Sequence, residues 1–380
     1  MLLYVSGSYP ENQEGIAAGA KVLLDAFIDA ANKEDFLLLT TNTDIITENI
    51  EKNSNCRYEL FDNWKVTGKN IRHLYSILDE NPITAIHMEY PGDLYGKTFF
   101  ASFLPYFVKR YNKKRKKEVS TNVRLHEFTK ARFLRKLAII PILLFADRVY
   151  VPAQKDREVV SKFVRGKLDS TYIGTNIRVV SDVLCSSEKT VISYFGSVYP
   201  GKGIEHMLSV WKAIREKDTE NKFVFKIIGD VGTEETNHFC SYHKQVWEWI
   251  RQYDLESCIE VTGYVSDEEV SKEIQNTQIA TLFYEDGLTL RRGSFLAYLA
   301  HGIPVVTSMG DEESIALFKN HDGVCMTKND NEIVDKILEI SKLDIEKRER
   351  IREDNINLSK NFDWKNIANV FLRDYGLKHE

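Results

Sequence analysis

The sequence predicts an α/β protein with two tandem domains, each built on a doubly wound parallel sheet. The chain has 380 residues, which is long for a single domain. Short β-branched or aromatic segments alternate with longer helical segments almost throughout, and this alternation restarts near residue 190. Of the residues, 43% are hydrophobic and 28% are charged, which is typical of a globular protein with enough apolar side chains for two cores.

The predicted strands are short and mostly apolar, as in sheets that helices cover on both faces. They comprise residues 2–6, 36–40, 83–88, 121–125 and 147–151 in the first half, and 190–195, 223–229, 259–263, 278–283 and 303–308 in the second. A segment with neither pattern, residues 178–190, separates the halves. We therefore place one domain at residues 1–185 and another at 186–360. Ligands are expected at the carboxyl ends of the strands, in the cleft between the domains.

Cysteine spacing and charge restrict the class of protein. The five cysteines lack CxxC or histidine-paired spacing, which favours a reducing compartment and argues against a zinc site. The N-terminus lacks the basic start of a signal peptide, and the longest apolar run, residues 137–146, is about half a membrane span. We expect a cytoplasmic protein. Residues 1–185 hold 27 Lys and Arg against 22 Asp and Glu, and the remainder holds 24 against 34, so the domains are expected to differ in their partners.

Two glycine-rich turns in the second domain are candidates for anion binding. In "FGSVYPGKGIEHMLSVW", Gly196 ends a strand, and Lys202 and Gly203 precede a helix, an arrangement that suits a diphosphate. In "FKIIGDVG", Gly229 would let a ligand approach the backbone closely. The alternative in both cases is an ordinary turn between a strand and a helix.

The stretch "YEDGLTLRRGSFLAYLAHGIPVVTS" (284–308) is more specific. Ser294 is predicted to cap the following helix, and the N–H groups of Gly293 and Ser294 to point into the cleft. A helix N-terminus contributes about 0.3 to 2 kcal/mol toward an anion, whereas micromolar binding needs about 8 kcal/mol. Arg291, Arg292 and the lysine of the first turn would supply charge-assisted hydrogen bonds. The alternative is a pair of exposed arginines in a loop.

In order, the segments "FGSVYPGKGIEHML", "FKIIGDVG", "VTGYVSDEEV" and "AYLAHGIPVVTS" resemble those of the retaining family 4 glycosyltransferases, which have the GT-B fold. The third also contains a capping box between Ser266 and Glu269, which accounts for both side chains. In the first domain "GSYPENQEGIAAGA", "RLHEF" and "ADRVYVPAQKDREVV" are similar to the corresponding units. "FDWKNIANVFLRDY" is similar to the C-terminal helix, here within residues 361–380, that crosses back to the first domain.

The resemblance implies transfer of a sugar from a nucleotide-sugar, with retention and without a metal or other cofactor. By position, Lys202 would bind the diphosphate, Gly15 would approach it from the first domain, His126 would face the donor sugar, and Val265 would contact the base.

Two departures from the family pattern concern its paired glutamates and a phosphate-binding arginine. The first glutamate is represented by Glu285 or Asp286, which with His126 are the candidate catalytic residues, and the second falls on Ala297. The arginine expected after Gly196 is a serine. A DG-x-(S/T)-x-RRG variant of this loop occurs in some bacterial members, and we hypothesise that its two arginines replace the lost charge.

Three residues of the first domain are candidates for the acceptor side. His87 and Glu89 end a strand that is expected to face the cleft, and Glu127 beside His126 is a candidate base that orients the acceptor. The alternative for His87 is a structural histidine at the end of a strand.

Residues 109–136 hold twelve Lys and Arg against two acidic residues, and apolar and aromatic residues flank them. This pattern favours an anionic membrane surface as a partner of residues 99–145, and a solvated helix face is the alternative. No nucleic-acid recognition motif is present, and the whole protein is acidic, which argues against nucleic acid.

The implied function is a retaining glycosyltransferase of bacterial type that extends a surface glycan or its lipid-linked precursor, with a UDP-sugar as the commonest donor. It would be cytoplasmic, with peripheral contact at the inner face of the cell membrane. One alternative is a GT-B-shaped partner or chaperone subunit without catalysis, to which the alanine at position 297 points. A lesser alternative is a sugar-nucleotide epimerase.

Overall fold

The computed structural model describes residues 1–7, 14–30, 35–41, 48–90, 95–126, 128–129, 131–152, 154–180, 189–232 and 240–377. The chain divides into two compact units. The first comprises Met1–Gly174 with Asp363–Glu380, and the second comprises Thr175–Phe362. The boundaries predicted from the sequence lay between residues 185 and 186 and between residues 360 and 361.

Strands and helices alternate along the first unit. Its strands are β1 (Leu2–Val5), β2 (Phe36–Thr40), β3 (Cys56–Leu60), β4 (Ala85–Tyr90), β5 (Ser120–Leu125), β6 (Arg148–Val151) and β7 (Lys167–Ser170). Its helices up to residue 174 are α1 (Glu14–Ala30), α2 (Glu48–Lys52), α3 (Gly68–Glu80), α4 (Phe100–Arg115), α5 (Phe133–Phe145) and α6 (Gln154–Val160). The sheet order is β3-β2-β1-β4-β5-β6-β7, and all pairs are parallel.

The second unit repeats this plan with a sheet of its own. Its strands are β8 (Thr190–Phe195), β9 (Phe223–Ile228), β10 (Ile259–Val261), β11 (Ile279–Leu282), β12 (Val305–Ser308) and β13 (Val324–Thr327). Its helices are α7 (Ile204–Lys217), α8 (Cys240–Gln252), α9 (Asp267–Gln275), α10 (Gly293–Ala300), α11 (Glu312–Phe318), α12 (Asp330–Ser341) and α13 (Ile345–Ser359), followed by a 3-10 turn at Lys360–Phe362. The strands lie parallel in the order β10-β9-β8-β11-β12-β13.

The last helix, α14 (Trp364–Asp374), belongs to the first unit and packs against α1. Asp363 caps it, because its side chain accepts a hydrogen bond from the N–H of Asn366 at 3.1 Å. The ring of Phe371 stacks on that of Phe27 with centroids 5.7 Å apart. None of the described helices combines the length and apolar composition needed to span a bilayer.

These observations confirm the predicted fold of two doubly wound parallel sheets. All ten predicted strands are present within about two residues of the expected bounds, and β3, β7 and β13 are additional. The additional strands all lie at sheet edges. Edge strands are covered less completely than central ones, so their sequences carry a weaker apolar signal.

The strand order reverses once in each sheet, between β1 and β4 and between β8 and β11. At such a point the flanking helices lie on opposite faces of the sheet, which leaves a crevice at the carboxyl ends of the strands. Most of the predicted site residues follow or end strands beside these two points.

Candidate functional site

In the second unit the predicted donor-binding residues lie in loops at one edge of the sheet. Gly196 and Lys202 follow β8, Gly229 follows β9, Val265 follows β10, and Arg292 follows β11. Because the strands are parallel, these loops all leave the carboxyl edge. Val265 packs partly buried against the core of the unit.

Glycine is required at two of these positions for steric reasons. Gly203 has a φ of +65°, and a Cβ atom there would lie 1.6 Å from the carbonyl oxygen of Phe283. Gly229 has a φ of +150°, and a Cβ there would lie 2.5 Å from the carbonyl oxygen of Gly196. The close approach of these backbones brings the loops after β8, β9 and β11 together.

Lys202 lies beside two tyrosine rings. Its ammonium is 4.9 Å from the ring centroid of Tyr199 and 5.7 Å from that of Tyr284, within cation–π range. The lysine is partly buried and has no carboxylate partner within the described part of the chain. Its positive charge is therefore available to an anionic ligand.

Arg292 contacts the same tyrosine. Its guanidinium carbon lies 4.4 Å from the ring centroid of Tyr284, and the guanidinium forms an ion pair with Asp286. The Nε of Arg292 is buried and finds no acceptor among the described residues. The hydroxyl of Tyr284 is hydrogen-bonded to Ser294 Oγ at 3.0 Å. Burial raises the pKa of Tyr284 to about 12, so this phenol is neutral near pH 7.

The start of α10 differs from the prediction. Arg292 occupies the N-cap position and provides no side-chain cap, so the prediction that Ser294 caps this helix is wrong. Ser294 lies one residue inside the helix, and its hydroxyl pairs with Tyr284 instead. The first N–H groups of a helix have no intrahelical acceptor, so those of Gly293 and Ser294 remain available at this end of α10. An uncapped helix start beside two cations suits an anion.

The other predicted residues of this loop have different surroundings. Arg291 is partly exposed and makes no ion pair with a described residue. Glu285 is exposed, and its backbone N–H donates to the carbonyl oxygen of Gly201 at 3.4 Å. Ala297 is fully buried in the second turn of α10. Tyr284 was not predicted as a site residue, although its position directly before the acidic turn was a signal for it.

In the first unit the buried carboxylate of Glu89 contacts three side chains. Glu89 Oε1 accepts a hydrogen bond from His87 Nε2 at 2.8 Å, and Glu89 Oε2 accepts from His126 Nε2 at 2.5 Å. Arg124 Nη1 lies 3.4 Å from Oε2. On the far side of His87, the hydroxyl of Tyr375 lies 2.5 Å from Nδ1. Neither Arg124 nor Tyr375 was predicted from the sequence as a site residue.

Burial and charge determine the protonation of this cluster. Burial alone would raise the pKa of Glu89, but the Arg124 guanidinium and the hydrogen bonds from His126 and His87 hold it well below its usual range. Burial lowers the pKa of His87. At neutral pH Glu89 is therefore ionised and His87 is neutral. Both side chains are fully buried, whereas His126 is 17% exposed.

Two predicted residues of the first unit remain to be placed. Gly15 lies in the first turn of α1. Glu127, the candidate base beside His126, lies outside the described residues. In the loop that carries His126, the N–H of Thr129 donates to the carboxylate of Asp156 at 2.7 Å, which fixes the loop to α6.

Helices α4 and α5 pack together and expose apolar side chains; we call this the α4–α5 surface. Its apolar members are Phe99, Phe103, Tyr106, Phe133, Leu134, Leu137 and Ile140, of which Phe133 and Leu134 are 72% and 77% exposed. At the C-terminal end of α4 the exposed lysines without a carboxylate partner among the described residues are Lys113, Lys114, Lys116 and Lys117. Arg132, Arg135 and Lys136 lie on α5 or at its start.

Comparison with known proteins concerns the family and the fold. Residues 189–342 match the family described as "Glycosyl transferases group 1". Anabaena HepE in complex with UDP is 14% identical, with 99% of both chains covered and a TM-score of 0.70. A glycosyltransferase from Rickettsia africae ESF-5 is 14% identical, with 98% of this chain and 97% of that chain covered and a TM-score of 0.69.

The lipopolysaccharide outer core galactosyltransferase WaaB in its apo form is 12% identical, with 98% of this chain and 100% of that chain covered and a TM-score of 0.58. No curated protein sequence matches the chain. At these identities the structural likeness shows the fold, and it is the GT-B fold that the sequence predicted. The family match in the second unit, together with these neighbours, supports a transferase.

Proposed function

We propose that the protein is a retaining glycosyltransferase of the family 4 type that moves a sugar from a nucleotide-sugar, with a UDP-sugar favoured, to a glycan or lipid-linked acceptor. The observation that carries the proposal is the cation cluster of the second unit. Lys202 and Arg292 both lie against Tyr284, beside the uncapped start of α10 and next to the reversal of strand order. The UDP bound to Anabaena HepE supports the choice of base.

The free energies expected from these groups are close to what the binding of a diphosphate needs. A hydrogen bond to a charged group contributes about 1.5 to 3 kcal/mol, so Lys202 and Arg292 together contribute roughly 3 to 6 kcal/mol. The helix start adds up to about 2 kcal/mol. The sum approaches the 8 kcal/mol or so of micromolar binding, with the sugar and the base still to add their contacts.

The surroundings of two carboxylates, Asp286 and Glu89, argue against either as a protein nucleophile. Asp286 is paired with Arg292, and Glu89 is fully buried behind His126. A carboxylate must reach the anomeric carbon to act as a nucleophile, and neither of these is free to do so. We propose that the leaving phosphate takes the proton of the attacking hydroxyl, and that His126 contacts the donor sugar.

The α4–α5 surface supports an acceptor carried on a membrane lipid. The exposed apolar side chains of α4 and α5, with basic residues at the start of α5 and unpaired lysines at the C-terminal end of α4, suit a bilayer with anionic head groups. We propose that the protein is cytoplasmic, that it attaches peripherally to the inner face of the cell membrane through residues 99–145, and that it serves bacterial surface polysaccharide or glycoconjugate synthesis.

The test is thermal stabilisation by UDP, GDP, dTDP, ADP and CMP, measured for the wild type and for Lys202→Ala. A ligand at about a hundred times its dissociation constant should add about 2.7 kcal/mol. We expect one diphosphate to stabilise the wild type and to have little effect on Lys202→Ala. Lys212→Ala, which removes an exposed lysine of α7 paired with Glu216, is the matched control and should respond like the wild type.

Stabilisation by none of the nucleotides, or equal stabilisation of Lys202→Ala, would contradict the proposed donor site. The first result would favour the alternative of a GT-B-shaped partner protein without catalysis. With the nucleotide identified, release of that nucleotide from its sugar conjugates in the presence of membrane extract measures transfer itself.

A further inference from the structure

Glu89 lies at the centre of a hydrogen-bonded chain that reaches from the C-terminal region of the protein to His126. His87 and Glu89 are two residues apart on β4, so their side chains lie on the same face of the sheet. Arg124 is the register partner of Glu89 on β5, and His126 follows that strand. The sheet therefore brings one carboxylate into contact with two imidazoles and a guanidinium.

The proton order within this chain follows from the chemistry of a carboxylate, which only accepts hydrogen bonds. Both His87 and His126 approach Glu89 through Nε2, at 2.8 and 2.5 Å, so both must carry a proton on that nitrogen. The Nδ1 of neutral His87 then accepts from the hydroxyl of Tyr375 at 2.5 Å. The Nδ1 of His126 makes no hydrogen bond with a described residue, and in the neutral form of this imidazole it is the acceptor at the end of the chain.

Arg124 makes this arrangement electrically neutral. Its Nη2 donates to the carbonyl oxygen of Tyr172 at 3.0 Å, and its guanidinium carbon lies 5.4 Å from the ring centroid of Trp364. The fixed positive charge of Arg124 balances the negative charge of Glu89 within the core. A purely structural ion pair would need only Arg124 and Glu89. The further hydrogen bond between Glu89 and the partly exposed His126 is not required for that role.

We infer that Glu89 is a positioning residue of the transfer reaction, which holds His126 in the tautomer with Nε2 protonated and presents Nδ1 to accept a hydrogen bond from a substrate hydroxyl. The inference rests on the proposed function, because it assigns His126 to the substrate. The acidic residue of a serine protease triad orients its histidine in the same way, without taking up the proton itself.

The experiment combines kinetics and NMR on the full-length protein. Glu89→Gln keeps the shape of the side chain and removes its charge, and we expect kcat to fall about 100-fold while the dissociation constant for the nucleotide-sugar stays within about twofold. If Glu89 acts through His126, the double variant Glu89→Gln/His126→Asn should be no slower than His126→Asn alone. Asp147→Asn, which alters a carboxylate that accepts from Thr121 at the other end of β5, is the matched control and should keep wild-type kcat.

Two kinetic results would overturn the inference. One is a kcat of Glu89→Gln within about threefold of the wild type. The other is a double variant in which the two losses multiply, because Glu89 would then act independently of His126.

A second measurement does not depend on turnover or on the folding of Glu89→Gln. In the 15N spectrum of histidine-labelled wild-type protein, the imidazole signals absent from His126→Asn should show a protonated Nε2 and an unprotonated Nδ1. A protonated Nδ1 with a bare Nε2 would overturn the inference, whether or not the nucleotide panel supports the proposed donor site. Conversely, the predicted tautomer without any nucleotide binding would contradict the proposed function and leave the positioning of His126 by Glu89 intact.

Discussion

Replacing Phe133 and Leu134 by serine should weaken attachment of the protein to anionic membranes and leave its folding unchanged. The two side chains are 72% and 77% exposed, so about three quarters of each can still be transferred into lipid. Full burial of a Phe or Leu side chain contributes about 1.5 to 3 kcal/mol, which gives roughly 2 to 4 kcal/mol for the pair. At about 1.4 kcal/mol for each factor of ten, binding should weaken about 30- to 1,000-fold. The free energy of unfolding should change by less than about 1 kcal/mol, because both side chains already face solvent.

Co-sedimentation with vesicles of phosphatidylcholine and phosphatidylserine measures this change. Ile345→Ser is the matched control, since that side chain is 82% exposed and belongs to the second unit, not to the α4–α5 surface, and its loss should leave binding unchanged. Higher salt should weaken binding of the wild type, because basic residues contribute about 1 kcal/mol each near an anionic leaflet. Equal binding of the Phe133→Ser/Leu134→Ser variant and the wild type would refute the assignment of this surface.

Three further predictions concern the sites themselves. Gly203→Ala should lower the free energy of unfolding by about 1 to 3 kcal/mol in urea titrations, because its Cβ would lie 1.6 Å from the oxygen of Phe283. Gly96→Ala, where φ is +63° and nothing lies within 4 Å of the added Cβ, should cost less, and equal losses would contradict the steric argument. Arg292→Lys should weaken binding of the stabilising nucleotide about tenfold in calorimetry, because an ammonium cannot serve Asp286 and a phosphate with a planar fork. Stability should fall as the pH drops below the ordinary histidine pKa of about 6.5, since burial lowers the pKa of His87 and of His301 and the unfolded chain therefore takes up more protons. Each histidine contributes up to about 1.4 kcal/mol per pH unit to the loss of unfolding free energy. A urea midpoint that is constant between pH 7.5 and 5.5 would contradict this.

The central strands could be predicted from the sequence because burial on both faces leaves a continuous apolar signal. The segments "FLLLT" and "TVISYF" gave β2 and β8 at the expected bounds. The edge strand "CRYEL" exposes four of its five residues, so no apolar run identifies it. Its pairing with β2 depends on the rest of the sheet, which a local pattern does not contain.

Helix capping shows the same limit on a smaller scale. The capping box of Ser266 and Glu269 is present as predicted, because both partners lie within one turn of the chain. Ser294 also precedes an apolar helix, but its hydroxyl pairs with Tyr284, ten residues earlier, and the helix begins before it. The contact of Glu89 with His126 likewise requires two neighbouring strands in register. Both residues were predicted as candidates from the sequence, but their contact was not.

The cation cluster of the second unit combines features that are locally unfavourable without a ligand. A helix start without a side-chain cap costs about 1 kcal/mol relative to one capped by serine or aspartate, and α10 has Arg292 at that position. Lys202 is partly buried without a carboxylate partner in the described part of the chain. A bound phosphate would accept hydrogen bonds from both cations and from the free N–H groups, so one ligand would offset all of these costs.

This arrangement bears on the meaning of the alanine at position 297, the feature that favours an inactive partner protein. Ala297 is fully buried, and its carbonyl oxygen accepts hydrogen bonds from the backbone N–H and the Nδ1 of His301, at 3.1 and 2.7 Å. Because Ala297 is buried, a ribose could not touch this side chain. Contacts to the phosphates, where Lys202 and Arg292 lie beside the helix start, would then have to replace the free energy of a contact to the ribose. The absence of a glutamate at 297 is therefore compatible with donor binding, and the response of Lys202→Ala to nucleotides distinguishes a transferase from a protein that only shares its fold.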